Sequence, residues 1–270
     1  MRCPPSTAVA ARRSFFASAL RHVRASGHGG GRQPQQQQVV PNWSPTFNSG
    51  SAGAGSAADA LSPHVRQHMM RVYGLLAAGV AVASCGSAAM FLTPLGKMIP
   101  PFVALIGGFV PLIWLSMFPP ANIYARLALF FAFTLLEGMG LAPIVLATAA
   151  KGVLGSALVL TAAIFMGFSA SALLAPRASL IKFQGPLVGM LLGMIAISFL
   201  NIFYPTAFAH NIILYGGLAI FSALVAVDTQ AMIERASCGG ADHVGDALSM
   251  FLNVVNIFVR IAQIMRGFSD

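Results

Sequence analysis

The chain has 270 residues, of which 57% are hydrophobic and only 9% are charged. Soluble globular domains carry about 25% charged residues, so this composition excludes an ordinary soluble domain and predicts a membrane protein. The formal net charge of +9 is weighted toward the N-terminus, where residues 1–60 hold six arginines and one acid. No basic patch with interleaved aromatic residues is present, so nucleic acid is not an expected partner.

The N-terminal segment has the composition of an organelle transit peptide. No acid precedes Asp59, and residues 11–24 place apolar and arginine side chains on different sides of a possible helix. Such starts are typical of mitochondrial import, and the Gly-, Gln- and Ser-rich stretch that follows is typical of a disordered linker. We therefore predict a transit-like, disordered segment over 1–60 and a multi-pass membrane domain over 61–270. The mitochondrial inner membrane is the preferred location, the endoplasmic reticulum is the alternative, and a basic tail without targeting value is the simplest other interpretation.

Apolar segments of membrane-crossing length, about 20 residues, follow one another from Met69 onward. Gly189 and Gly193, spaced i,i+4, predict a close approach between helices. The last segment is more polar than the others, and the sequence leaves open whether it spans the membrane or is re-entrant. The candidate spans cover residues 69–92, 99–118, 126–149, 153–174, 185–204, 209–230 and 246–265.

Basic residues in the connecting loops predict the orientation. Loops on the side of the N-terminus carry six Lys or Arg residues, and the opposite loops carry two. Because cytoplasmic loops are enriched in positive charge, the N-terminal side is predicted to face the cytosol, or the matrix if the protein is imported.

Two acids stand at membrane depth, where a charge costs about 2.5–3.5 kcal/mol at a helix centre on insertion scales. Glu137 lies near the middle of the third candidate span with no basic residue within one helical turn. It either lines an ion or proton path or is protonated and merely hydrogen-bonded. Asp228 follows the apolar run of the sixth span. It is either a group that works inside the membrane or a solvated helix end.

The seventh segment carries a polar stripe. Its polar residues recur at spacings of three and four, which places all of them on one helical face. Amides predominate, whereas an interfacial amphipathic helix would carry Lys and Arg, so we favour a stripe buried in the bundle over a helix at the membrane surface. The stripe consists of Asp246, Ser249, Asn253, Asn256, Arg260 and Gln263.

The depths of these groups predict a gate on the N-terminal side. Short connections join neighbouring elements, so the sixth and seventh helices should be adjacent and Asp228 should meet the stripe at Asn253. Arg126, at the start of the third span, is a candidate counter-charge. The predicted ion path or gate comprises Asp228, Asn253, Glu137, Arg126, Asn256, Ser249 and Asp246.

Five blocks of the membrane domain stand out: "HVRQHMMRVYGLLAAGVAVASCGSAAM", "FAFTLLEGMGLAPIV", "AIFMGFSASALLAPR", "LVAVDTQAMIERA" and "ALSMFLNVVNIFVRIAQIM". Together they resemble the Bax inhibitor family of transmembrane proteins, and they occur in that family's order over about residues 62–266. The pattern is closest to the Bax inhibitor branch itself.

The resemblance implies six transmembrane helices around a central, shorter, polar seventh helix. It also implies a calcium leak or calcium/proton exchange that regulates organelle calcium, together with suppression of cell death. In that family, two aspartates on the sixth and seventh helices form a pH-sensitive latch, and their positions correspond to Asp228 and Asn253 here. Asp228 is then the candidate for a transient calcium contact. Two carboxylates share a proton, but an aspartate beside an amide does not, so the latch of this chain is expected to have an altered pH response.

Motifs of other functional classes are missing from the sequence. It contains no Walker motif, GxGxxG, HExxH or CxxC, so neither a cofactor nor an enzymatic activity is expected. The expected partners are the lipid bilayer, calcium, protons and cell-death regulatory membrane proteins. The alternative function is a non-transporting membrane scaffold that modulates cell death through partner binding, with its buried polar groups serving only structure.

Overall fold

The computed structural model describes residues 62–93, 98, 100–117, 122–176, 178–240 and 242–268. These residues form seven main helices joined by short connections, with no strand among them. The transit-like segment predicted over 1–60 lies outside the described residues. The helices are α1 (Pro63–Leu92), α2 (Pro101–Met117), α3 (Ile123–Ala150), α4 (Leu154–Leu174), α5 (Gln184–Phe203), α6 (Ala207–Ser237) and α7 (His243–Phe268).

The predicted fold class is confirmed, because the protein is an all-α, multi-pass membrane protein. Six of the seven described helices, all except α2, are long and apolar enough to cross a bilayer. The seventh helix is not the short one, however, since α7 has 26 residues and α2 has 17. One reason is that Asp242 caps the start of α7 by accepting a 3.1 Å hydrogen bond from the Gly245 N–H, so the helix begins before its apolar segment.

Close packing of α1 against α3 depends on glycine. A Cβ at Gly138 would clash with the carbonyl oxygen of Ala83, and a Cβ at Gly86 would clash with the backbone of α3. The close approach predicted at Gly189 and Gly193 is wrong, because no atom of another element lies within 4 Å of a Cβ at either position. Small residues therefore bring together α1 and α3 rather than α5 and a neighbour.

The last helix, α7, runs from one end of the bundle to the other. Its start lies beside the start of α3, where Arg126 donates a hydrogen bond to Asp242. Its last turn lies beside the end of α3, where Lys151 Nζ donates to the carbonyl oxygen of Arg266 at 3.0 Å. Along this course α7 packs against α1, α3, α4 and α6. It is therefore central, as predicted, and continuous rather than re-entrant.

The sixth helix, α6, is built from three segments, namely a first α-helical turn, a π-helical turn and a long α-helix. Gly217 begins the long segment, and a Cβ at this position would clash with the Arg260 side chain of α7. The long segment continues nine residues beyond Asp228. This carboxylate therefore lies inside a helix and does not mark its end. The three segments are Ala207–Asn211, Ile212–Gly216 and Gly217–Ser237.

Candidate functional site

Asp228 on α6 is held by two hydrogen bonds from α7. Ser249 Oγ donates to Asp228 Oδ2 at 2.7 Å, and Asn253 Nδ2 donates to the same oxygen at 2.8 Å. Both donors reach one oxygen because residues spaced i,i+4 lie one above the other on a helix face. The structure thus brings Asp228 and Asn253 together, and their hydrogen bond fixes α6 against α7.

The second carboxylate oxygen of Asp228 is uncommitted. Among the described residues, Oδ1 accepts no hydrogen bond and no cationic side chain forms an ion pair with Asp228. The side chain is half-buried and borders a cavity of about 530 Å³ between α5, α6 and α7. Hard cations prefer oxygen ligands, so a carboxylate that borders a cavity and has one oxygen without a fixed partner can bind one.

The cavity beside Asp228, which we call the polar cavity, has a polar wall on α7 and a mainly apolar wall on α5. Asn256 and Arg260 continue the polar wall beyond Asn253. Arg260 Nη1 donates to Asn256 Oδ1 at 3.1 Å, and its guanidinium lies 4.7 Å from the ring centre of Phe221. The polar cavity therefore has a negative group toward one end, a positive group toward the other and amides between them.

The polar stripe of α7 is not uniform along its length. Its middle residues face α6 or the polar cavity, whereas Asp246 at one end lies between α1 and α6 and Gln263 at the other end is exposed. The spacings of three and four spread the stripe over an arc of about 100°, and these two residues lie at opposite edges of the arc. The predicted burial of the stripe in the bundle therefore fails at Gln263.

Asp246 joins three helices at the N-terminal end of the bundle, where α1, α3 and α7 begin. His68 Nε2 on α1 lies 2.8 Å from Asp246 Oδ2, and Arg235 Nη2 on α6 donates to Asp246 Oδ1 at 2.5 Å. The side chains of His68 and Asp246 are only 4% and 5% exposed. Sequence reasoning missed His68 and Arg235. His68 and Asp246 are 178 residues apart, and only the fold places α1 beside α7.

Arg126 does not reach Asp228. It is buried and donates to Asp242, so the counter-charge predicted for Asp228 is bonded to another carboxylate. The reason is depth, because Arg126 and Asp242 stand at the starts of their helices while Asp228 contacts Ser249, about two turns further along α7.

Glu137 lies apart from the polar cavity. It is half-buried on α3 and faces α2, where its Oε2 lies 4.0 Å from the position of a Cβ at Gly108. It does not line the polar cavity, and it forms no hydrogen bond or ion pair with another described residue. The structure therefore does not bring Glu137 to Asp228.

Comparison with known proteins identifies the family of this bundle. A family model described as "Inhibitor of apoptosis-promoting Bax1" matches residues 65–270. Bax inhibitor 1 of Arabidopsis thaliana is 34% identical over 208 residues, which cover 76% of this chain and 83% of that protein. The chain belongs to the Bax inhibitor family. It is also 29% identical to Bax inhibitor 1 of Homo sapiens over 209 residues, or 76% of this chain and 87% of the human protein.

The family resemblance drawn from the five sequence blocks is thus confirmed. The matched region begins in the first turn of α1 and contains the whole Bax inhibitor bundle, including Asp228, Asn253 and Asp246. The segment predicted over 1–60 lies outside the matched region. The match to the family therefore includes the candidate site but gives no information on the predicted targeting segment.

We expect Asp246→Ala to destabilise the Bax inhibitor bundle by about 3 kcal/mol, because breaking a buried pair leaves its remaining polar groups unsatisfied. Glu234→Ala is the control, since it removes an acid of α6 whose side chain forms no hydrogen bond or ion pair with another described residue. Thermal unfolding in detergent micelles should show a larger drop in midpoint for Asp246→Ala. Equal drops would contradict the view that Asp246 ties α1 and α6 to α7.

Proposed function

We propose that this Bax inhibitor family member forms a calcium-permeable path, as a leak channel or calcium/proton exchanger, that regulates organelle calcium and suppresses cell death. The observation that carries the proposal is the Asp228 carboxylate, which has an uncommitted oxygen beside a cavity inside a membrane domain. Ionisable groups at membrane depth are costly and mark ion paths. The family description, "Inhibitor of apoptosis-promoting Bax1", supports the role in cell death.

The arrangement of donors around Asp228 gives this path a closed state. A cation in the polar cavity meets Asp228 Oδ1, while Ser249 and Asn253 hold Oδ2 and keep α6 joined to α7. Passage toward the N-terminal end of the bundle then requires α6 and α7 to separate at this contact. One carboxylate binds a cation weakly, which suits conduction, because an ion that binds too tightly does not leave.

We expect Asp228→Ala to lower calcium flux through liposomes that contain the purified protein by about tenfold, the effect of losing about 1.4 kcal/mol of ion binding. Glu234→Ala is the control, because Glu234 is an acid on the same helix that does not line the polar cavity. Its flux should equal that of the wild type. Calcium-sensitive dye inside the liposomes reports the initial rate for each variant.

The same measurement separates transport from the scaffold alternative. Unchanged flux in Asp228→Ala would contradict a path through the polar cavity. An absence of flux in the wild type, together with retained suppression of cell death, would identify the protein as a non-transporting scaffold whose buried polar groups serve structure.

We expect Asn253→Asp to introduce pH dependence into the flux. In the wild type the Asn253 amide donates a hydrogen bond to Asp228 Oδ2. This contact needs no proton shared between the two side chains. Two carboxylates at this distance share one proton at acidic pH and repel each other once it is lost. The contact in the variant should therefore hold at low pH and weaken as pH rises, which raises flux above that of the wild type.

Flux measured across a pH series in liposomes tests this expectation. Asn256→Asp is a control on the same face of α7, since Asn256 bonds to the Leu252 carbonyl oxygen and Arg260 rather than to Asp228. Parallel pH profiles for the wild type and Asn253→Asp would rule out a titratable contact at this position.

The proposed location is the mitochondrial inner membrane, with the endoplasmic reticulum as the alternative. Its support is composition alone, namely six arginines and one acid in residues 1–60 in the pattern of a transit peptide. We expect the full-length chain with a C-terminal tag to fractionate with mitochondria and a chain that lacks residues 1–60 to lose this destination. Residence of both chains in the endoplasmic reticulum would contradict import.

A further inference from the structure

Arg260 brings a positive charge into the polar cavity without a bonded negative partner. Of the described residues that line the cavity, it alone is basic, and arginine stays protonated in proteins. No carboxylate of the described residues forms an ion pair with it. The acid of the same cavity, Asp228, is bonded at the level of Asn253, which lies about 10 Å from Arg260 along α7. A charge inside a membrane domain is costly unless it is paired.

The fold leaves room for the Arg260 guanidinium inside the bundle. Gly217 on α6 faces it, and a Cβ at this position would clash with the Arg260 side chain. The ring of Phe221, one turn further along α6, packs against the guanidinium, with 4.7 Å between the ring centre and Cζ. Long basic side chains in membrane helices often extend toward the interface. Here the charge is held beside α6 instead, at one end of the polar cavity.

The hydrogen-bond donors of Arg260 are used unevenly. Nη1 donates to the carbonyl oxygen and to Oδ1 of Asn256, both at 3.1 Å. The acceptor that Nη2 finds among the described residues is the sulfur of Met194, 3.9 Å away, and a thioether is a weak acceptor. Arg260 is only half-buried and lines the polar cavity. A ligand in the cavity therefore meets a cation that still has hydrogen-bonding capacity at Nη2.

We propose that the Arg260 end of the polar cavity binds a small inorganic anion, such as chloride. The anion supplies the missing opposite charge and a strong acceptor for Nη2. The cavity volume of about 530 Å³ accommodates the anion together with several waters, each of which takes about 30 Å³. A carboxylate or phosphate that needs two parallel hydrogen bonds fits less well, because Nη1 is already bonded to Asn256.

The anion site and the proposed calcium contact occupy opposite ends of one cavity. The negative charge of Asp228 therefore weakens anion binding at Arg260. Across about 10 Å, the repulsion between two such charges corresponds to an affinity change of about two- to tenfold. Removal of this charge in Asp228→Asn should tighten anion binding by that factor. Basic residues at the surface of the bundle do not share this dependence on Asp228.

Chloride binding to the full-length protein tests the proposal, measured as ³⁵Cl NMR line broadening in an uncharged maltoside detergent. The buffer contains no calcium and is kept at pH 8, where histidine is mostly neutral. We expect saturable broadening in the wild type, its loss in Arg260→Gln and its retention in Arg260→Lys, which keeps the charge. Arg71→Gln is the matched control, because Arg71 is an exposed arginine of α1 outside the polar cavity, and its broadening should match the wild type.

A second variant keeps the test decisive if Arg260→Gln does not fold. Asp228→Asn leaves Arg260 in place, and its chloride affinity should exceed that of the wild type by about two- to tenfold. Saturable broadening that persists in a folded Arg260→Gln, equal losses in Arg260→Gln and Arg71→Gln, or an unchanged affinity in Asp228→Asn would overturn the proposal. Because calcium is absent, these outcomes are distinct from a failure of the proposed calcium path.

Discussion

The hydrogen bonds that α7 donates to Asp228 determine how the two last helices meet. A carboxylate inside a membrane domain is costly unless hydrogen-bond donors stabilise it. Ser249 and Asn253 supply them to a single oxygen, and a shift of α7 by one turn, about 5.4 Å, would break both bonds. The same alignment places Asp246 beside Arg235 and Arg260 beside Gly217, so the whole α6–α7 interface depends on it.

The central helix, α7, lies between two cavities, one with a partly polar lining and one with a mainly apolar lining. Its polar arc faces the polar cavity, and the remainder of its surface faces the hydrophobic core and a second cavity, which is lined mainly by apolar residues of α1, α3, α4 and α7. In a soluble bundle such a helix would lie at the surface with its polar side in water. Here both sides are inside a membrane domain, so the polar side is satisfied by Asp228 and by contacts within α7, among them that between Asn256 and Arg260.

Local regularities of the sequence predicted the candidate site better than they predicted the surrounding contacts. The stripe was visible from its periodicity, and the meeting of Asp228 with Asn253 followed because a short connection joins α6 to α7. Contacts between distant segments could not be read in this way. His68 carries no local signal that it pairs with Asp246, and Arg126 could equally have paired with any acid at its end of the bundle. The packing role of a glycine could not be read from the sequence either. Gly138 and Gly189 both lie within apolar segments, but only Gly138 packs against the backbone of a neighbouring helix.

The π-helical turn of α6, Ile212–Gly216, gives this helix a joint. The segment after the joint is locked to α7 through Asp228, while the segment before it, Ala207–Asn211, packs against α5. Because a π-helical turn lacks the regular α-helical hydrogen-bond pattern, a kink in α6 is expected at this turn, which lies next to Arg260 rather than next to Asp228. A kink of α6 at this turn would therefore move the Arg260 end of the polar cavity and leave the contact between Asp228 and α7 in place.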